Sequence, residues 1–222
     1  MAAAAKALLL DLDGTLVDSL PDLAASVNAL LAELGASALA EMEIAPMIGD
    51  GTRRLVERAL AARGIGAATP ESAHTRFLAI YEARPAALSR PYPGVVATLE
   101  RLSAGGWRLA VCTNKPLRAT QLMLRDLALE RCFGAVIAGD SLPVRKPDPQ
   151  VFLAALQALS VAPARGIAVG DHVNDLLAAD AAGMRAIWAN YGYGKRPLRP
   201  APAATIDAFI ELPAAAALLL PA

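Results

Sequence analysis

The sequence predicts an α/β protein: a doubly wound parallel sheet with a Rossmann-like core, and a small helical cap domain inserted after the first strand. Two observations support this fold class. Short apolar runs, each followed by a polar cluster, alternate with amphipathic helical stretches along most of the chain. One interval near the N-terminus breaks the alternation, because it carries helical patterns and no convincing strand.

The apolar runs are short enough to be buried parallel strands rather than helices. The predicted strands are Ala7–Leu12, Arg108–Cys112, Ala135–Ala138, Gly166–Val169, Arg185–Trp188 and Ala204–Ile206. Helical stretches such as Lys115–Leu129 and Pro149–Leu159 separate the later strands. An alternation of strand and helix favours a doubly wound sheet.

The interval from Ser19 to Arg90 is too long for one crossover helix, so we interpret it as an inserted cap. Apolar residues recur at helical spacing in Leu20–Leu34, Ile44–Arg63 and Pro70–Ala87. Two prolines and a glycine in residues 90–94 mark the return to the core. We therefore predict a catalytic core formed by residues 1–18 and 91–222 and a cap formed by residues 19–90.

Composition restricts the classes of partner. The 222 residues carry 21 Lys and Arg against 21 Asp and Glu, so the basic face typical of nucleic-acid binding is not expected. The N-terminus lacks the pattern of a signal peptide, and no apolar run approaches the ~20 residues of a membrane span. We expect a cytoplasmic protein that binds no membrane, and the sequence leaves its oligomeric state open.

The first polar cluster, Asp11-Leu12-Asp13-Gly14-Thr15, leaves the first predicted strand. Two buried carboxylates this close are costly unless something binds them, and Mg²⁺ prefers such hard oxygen ligands. One carboxylate can attack phosphorus, and the other can exchange a proton with the leaving oxygen and the hydrolytic water. Gly14 permits a sharp turn that brings backbone amides near a phosphate. An N-capping aspartate followed by an ordinary turn is the alternative.

The polar clusters after the later strands also suit a phosphate and a cation. Thr113 and Asn114 precede a helix and are suited to bind a phosphate, or they are simple caps. Lys146 is placed to neutralise phosphoryl oxygens, or it lies in solvent. Asp171 and Asp175 are predicted to open a helix, and their four-residue spacing places them on one face, which suits metal ligands. The alternative is that both acids occur there only because the helix dipole favours negative charge. Because ligands bind at the carboxyl ends of parallel strands, we expect these clusters to meet in one crevice.

In their order along the chain, the four clusters resemble the four motifs of the haloacid dehalogenase-like superfamily, and the helical insertion resembles its cap domain. The resemblance implies that Asp11 is the nucleophile, which forms an aspartyl-phosphate, and that Asp13 is the acid/base. It also implies that Thr113 and Lys146 hold the phosphoryl group. The implied Mg²⁺ ligands are Asp11, the backbone carbonyl of Asp13, and Asp171, with Asp175 in support.

Within the superfamily, an acid at Asp13 favours phosphate transfer over dehalogenation. Four further segments resemble bacterial phosphoglycolate phosphatases, and they are Leu16–Ser19, Ile48–Gly51, Tyr92–Val95 and Tyr191–Gly194. The resemblance implies a small phosphomonoester substrate, 2-phosphoglycolate or a similar phosphorylated acid.

Discrimination between substrates must come from the cap, because the core motifs recognise the phosphoryl group and the metal. Gly49, Asp50 and Gly51 form a cap loop whose two glycines are expected to expose backbone amides to a carboxylate. Arg53 is expected to add a bidentate partner, unless it lies on a solvated helix face.

Three alternatives remain on the same fold. A sugar-phosphate phosphatase would share all four clusters. A sugar phosphomutase would resemble relatives that carry a histidine in the cap soon after the first motif, and residues 20–23 contain none. A non-catalytic binding protein would be expected to have lost one of the clusters, and all four are present.

Overall fold

The computed structural model describes residues 5–66 and 70–220. Its strands are β1 (Lys6–Leu10), β2 (Val17–Asp18), β3 (Arg90–Pro91), β4 (Trp107–Cys112), β5 (Ala135–Ile137), β6 (Gly166–Gly170), β7 (Arg185–Ala189) and β8 (Ala204–Ile206). Six of them form a parallel sheet in the order β5-β4-β1-β6-β7-β8. The six predicted strands are therefore present, with ends that differ by one or two residues.

Helices and strands alternate from residue 95 to residue 189. The helices are α1 (Leu20–Glu33), α2 (Glu41–Ile44), α3 (Thr52–Ala62), α4 (Pro70–Ala83), α5 (Val95–Ala104), α6 (Leu117–Asp126), α7 (Gln150–Ala158), α8 (Val173–Ala181) and α9 (Leu212–Leu219). No helix in the described ranges is long and apolar enough to cross a membrane.

The central strand β1 is buried on both faces, as a parallel strand between two helical layers must be. Leu8 and Leu10 pack into the apolar cluster that includes α5, α6 and α9. Ala7 and Leu9 pack into the opposite cluster, with α7 and α8. This alternation orients β1 so that its carboxyl end, where Asp11 follows, opens between the two layers.

Helices α1 to α4 lie between β2 and β3, where the cap was predicted. The antiparallel pair β2–β3 joins Asp18 to Arg90, so the two chain crossings into and out of this segment lie side by side. The carboxylate of Asp22 strengthens this junction, since it accepts hydrogen bonds from the amides of Leu88 and Ser89 and from the Ser89 hydroxyl. The division into core and cap domains at residues 18 and 90 stays a prediction.

Two predicted helices differ from the structure. A helix over Ile44–Arg63 is wrong, because α2 ends at Ile44 and a 3₁₀ turn and a loop precede α3. Gly49 and Gly51 have φ values of 116° and 87°, which are incompatible with a continuing helix. The helix predicted over residues 70–87 ends at Ala83, and residues 67–69 before it lie outside the described ranges.

Candidate active site

The carboxyl ends of β1, β4 and β6 meet in one crevice beneath the cap. The cavity there is lined from the core by Asp11, Asp13, Thr113, Asn114, Lys115, Asp171, His172, Tyr193 and Gly194, and from the cap by Leu23, Ile48, Gly49, Gly51, Thr52 and Leu55. The cavity volume is about 30 Å³. Residues of three strand-end clusters line this cavity, and Lys146 of the fourth cluster reaches Asp11 beside it.

Asp11 is buried at the end of β1, where two groups hold the same carboxylate oxygen. Oδ1 accepts a hydrogen bond from the Leu12 amide at 2.8 Å, and the ammonium nitrogen of Lys146 lies 3.0 Å from it. Burial, together with the charges of Asp175 and Asp13, raises the pKa of Asp11 to about 6 in spite of Lys146. Burial, the largest of these effects, therefore makes the charged form of Asp11 costly in this site.

Lys146 is also bound to Asp175, so the two side chains form a buried pair beside Asp11. The Lys146 nitrogen donates to Oδ1 of Asp175 at 2.6 Å. Oδ2 of Asp175 accepts from the His172 amide at 3.1 Å, and a Cβ on Gly170 would come within 2.1 Å of that oxygen. Both oxygens of Asp175 are thus engaged by the protein, which makes it a group that positions Lys146. Its predicted metal contact stays a prediction.

The prediction that Asp171 opens a helix together with Asp175 is wrong for Asp171, because α8 begins at Val173, His172 is its N-cap and Asp171 directly follows β6. Its carboxylate accepts from the Thr15 hydroxyl and from the Tyr193 amide, both at 2.8 Å. Burial, with the charges of Asp11 and Asp175, raises the pKa of Asp171 to about 7.

Glycines make room for the Asp171 carboxylate. A Cβ on Gly14 or on Gly192 would come within 2.3 Å of this side chain, so no larger residue fits either position. Gly14 also has a φ of 80°, and its amide donates to the Val17 carbonyl. The Gly14 amide is therefore already bonded within its own turn, and its predicted contact with a phosphate stays a prediction.

The donor set fits a hard divalent cation. Asp11 and Asp171 are both buried with raised pKa values, mainly because burial penalises the charged form of each carboxylate. Within residues 5–66 and 70–220, no three His, Cys, Asp or Glu side chains converge as a ready-made cage. A cation bound here would need backbone oxygen and water as well, which suits Mg²⁺ because it retains several waters.

Asp13 has partners that the sequence did not indicate. The Lys115 nitrogen lies 2.8 Å from Oδ1 and 3.1 Å from Oδ2 of Asp13, and the Ser19 hydroxyl donates to Oδ1 at 2.6 Å. Burial, the largest single effect, lowers the pKa of Lys115, but the charge of Asp13, the Tyr81 hydroxyl and the hydrogen bonds to both together outweigh it, and the pKa is raised. Each of the first two aspartates thus has its own buried lysine.

Thr113 and Asn114 follow β4 and line the cavity. The Thr113 hydroxyl oxygen accepts from the Lys115 amide at 3.2 Å, so its proton is free for a ligand. The side-chain amide of Asn114 donates at 2.9 Å to the carbonyls of Gly49 and Lys146. Asn114 therefore joins the cap loop to the lysine loop, and its predicted contact with a phosphate stays a prediction.

The four predicted cap residues separate into two pairs. Gly49 and Gly51 line the cavity, whereas Asp50 and Arg53 face a wide groove outside it. Arg53 is paired with Glu71 at 2.6 Å on an exposed surface, which is the solvated alternative considered for it. Asp50 pairs with Arg58 and accepts from the side-chain amide of Asn174 at 2.8 Å, a contact that docks the loop on the core.

Comparison with known proteins agrees with this geometry. Residues 8–189 match the family model described as haloacid dehalogenase-like hydrolase. A protein of Cereibacter sphaeroides (strain ATCC 17029) named phosphoglycolate phosphatase is 44% identical over 194 residues, which cover 86% of this chain and 88% of that protein.

Two solved structures are similar over nearly the whole chain. A predicted phosphoglycolate phosphatase from Haemophilus somnus 129PT is 32% identical, with a TM-score of 0.89 and coverage of 96% of this chain and 99% of that one. CbbY from Rhodobacter sphaeroides, solved in complex with phosphate, is 26% identical with a TM-score of 0.80, covering 94% and 96%. The chain therefore belongs to the haloacid dehalogenase-like hydrolases.

Proposed function

We propose that this hydrolase is a Mg²⁺-dependent phosphomonoester phosphatase that acts through an aspartyl-phosphate on Asp11, with 2-phosphoglycolate or a similar small phosphorylated acid as substrate. One observation carries the proposal: Asp11 and Asp13 leave one strand into one cavity, and each is held by its own buried lysine. The names of the relatives support the same class of reaction and substrate.

The contacts of the site residues support a separate role for each side chain in the reaction. Both bonds to Asp11 fall on Oδ1, so Oδ2 is the oxygen that attacks phosphorus. Lys146, beside Asp11, and the Thr113 hydroxyl hold the phosphoryl oxygens as charge moves onto them. Mg²⁺ bound by Asp11, Asp171 and the Asp13 carbonyl would lessen the repulsion between a carboxylate and a phosphate dianion.

Asp13 completes both half-reactions. It gives its proton to the ester oxygen as the bond from phosphorus to that oxygen breaks, which releases the alcohol. It then takes a proton from water, whose oxygen attacks the phosphorus of the aspartyl-phosphate, and inorganic phosphate and the Asp11 carboxylate are released.

The small cavity supports a small substrate. A volume of about 30 Å³ has room for about two water molecules, far less than any phosphomonoester needs. A cap that opens to admit the substrate and then closes over it would exclude water during transfer. A bulky sugar ring would hold the cap further open than a two-carbon acid.

The test is a phosphate-release screen of the purified protein over a panel of phosphomonoesters, with Mg²⁺ and with excess chelator. We expect activity that needs Mg²⁺, and Asp11→Asn should lose several orders of magnitude in kcat. Near-normal turnover by Asp11→Asn, or full activity in chelator, would refute the mechanism. If a hexose or pentose phosphate exceeds 2-phosphoglycolate tenfold in kcat/KM, ~1.4 kcal/mol, the substrate is a sugar phosphate and the phosphatase class stands.

A further inference from the structure

We propose that Lys115 recognises the carboxylate of the substrate, and that it thereby selects phosphorylated acids over neutral phosphomonoesters. The inference rests on the proposed phosphatase function and names the side chain that gives it specificity. The sequence suggested Gly49, Gly51 and Arg53 for this role. The two glycines line the cavity but have no side chain, and Arg53 lies outside the cavity.

Lys115 is buried at the junction of core and cap. Its side chain is 1% exposed, although it belongs to a loop after β4. Its ammonium nitrogen lies 4.6 Å from the centre of the Tyr81 ring, which belongs to cap helix α4. The Gly139 amide donates to the Lys115 carbonyl at 2.8 Å and fixes the backbone. A long cationic side chain is rarely buried in this way unless it has partners.

Lys115 is the one lysine or arginine among the described residues that line the cavity. Lys146 does not line the cavity. Its ammonium group is already paired with the carboxylates of Asp11 and Asp175. The nearby arginines of α3 are paired with acids of the cap itself, Arg53 with Glu71 and Arg54 with Glu57. An anion that enters the cavity beyond the phosphoryl site therefore meets Lys115.

His172 also lines the cavity but is a poor ligand for an anion. Its Nδ1 accepts from the Asn174 amide, so this nitrogen cannot donate to a ligand. A Cβ on Gly49 would come within 2.3 Å of this ring, so the cap loop covers it closely. His172 thus has one ring nitrogen engaged by the protein and is covered by the loop.

The position of Lys115 relative to Asp13 matches the shape of a 2-phosphorylated acid. Asp13 must lie within hydrogen-bond distance of the ester oxygen to protonate it. In phosphoglycolate one methylene separates that oxygen from the carboxylate. Lys115 contacts both oxygens of Asp13, so a substrate carboxylate next to the ester oxygen would share this ammonium with Asp13.

The experiment compares 2-phosphoglycolate with its amide, which has the same shape and no carboxylate charge. The parent protein should prefer the acid in kcat/KM by on the order of 100-fold, because a charged partner is lost with the amide. In Lys115→Met this preference should fall at least tenfold, and Lys115→Arg, which keeps the charge, should retain more of it. Lys195→Met is the matched control, since Lys195 is exposed and outside the cavity lining.

The outcomes are distinguishable. If Lys115→Met lowers kcat/KM equally for the acid and for the amide, the inference is overturned, and Lys115 acts only as a support for Asp13. A parent protein that does not prefer the acid would overturn it as well, even if no Lys115 variant folds. If the parent hydrolyses no phosphomonoester at all, the proposed function itself is wrong.

Discussion

The buried carboxylates of Asp11 and Asp171 lead to a prediction about the metal-free protein, because burial penalises the charged form of each. Protonation of Asp171 stabilises the folded state: the contribution is complete below the ordinary pKa of 3.8 and is lost as the pH rises through about 7. At ~1.4 kcal/mol per pH unit, the whole loss is roughly 4 kcal/mol in the free energy of unfolding. Asp11 is among the groups that raise this pKa, so its own shift is not added.

The measurement is thermal unfolding with chelator between pH 5 and pH 7, where roughly 2 kcal/mol of this loss falls. For a chain of this length the Tm of the parent should then drop by roughly 4–8 °C relative to Asp171→Asn over the same range. The comparison with the variant is needed because the lowered pKa values of His74 and His172 act in the opposite direction below about pH 6.5.

Mg²⁺ supplies the second half of the test. Saturating Mg²⁺ at pH 7.5 should raise the Tm of the parent and leave Asp171→Asn nearly unchanged, since the cation binds the ionised carboxylates. The reasoning is refuted if parent and Asp171→Asn show the same pH dependence in chelator. It is refuted equally if Mg²⁺ stabilises both proteins alike.

Two further predictions concern the acid/base and the cap loop. Asp13→Asn should lose about 10²- to 10⁴-fold in kcat on an alkyl phosphate and much less on 4-nitrophenyl phosphate, whose leaving group needs little protonation; equal losses would contradict the acid role. Asn174→Ala removes the hydrogen bond that docks Asp50 on the core, so kcat/KM should fall roughly 5- to 30-fold, ~1–2 kcal/mol. Asn28→Ala, which breaks bonds to Leu39 within the cap, is the matched control, and an equal effect of both variants would mean that loop docking is not the cause.

The sequence predicted the sheet and the strand-end clusters because these features are local. A buried parallel strand is a short apolar run, and Asp11 and Thr113 stand directly after such runs. The helical cap segment was predictable for the same reason, as three stretches of helical spacing without a strand. Gly49 and Gly51 indicated that the helix predicted over residues 44–63 would be interrupted before α3. The apolar periodicity of the segment was given more weight than these glycines.

The partners of the site residues were not predictable from local pattern. Lys115 follows Thr113 closely, but its bond to Asp13 joins positions 102 residues apart. A lysine in a loop is usually solvated, so nothing in its neighbourhood indicates burial. The same holds for the Tyr193 amide, which contacts Asp171 through a loop that carries no regular element.

The pairing of β1 also has a consequence for how the protein is made. The strand that carries the nucleophile is synthesised first, yet Leu9 pairs with Ala110 on one side and with Ala168 on the other. Both pairings close long loops, which is slow because the chain loses entropy before the contacts form. On the ribosome, β1 cannot complete both pairings until β6 has emerged. An N-terminal product that ends before β6 lacks Asp171, so it cannot form the site proposed for the whole protein.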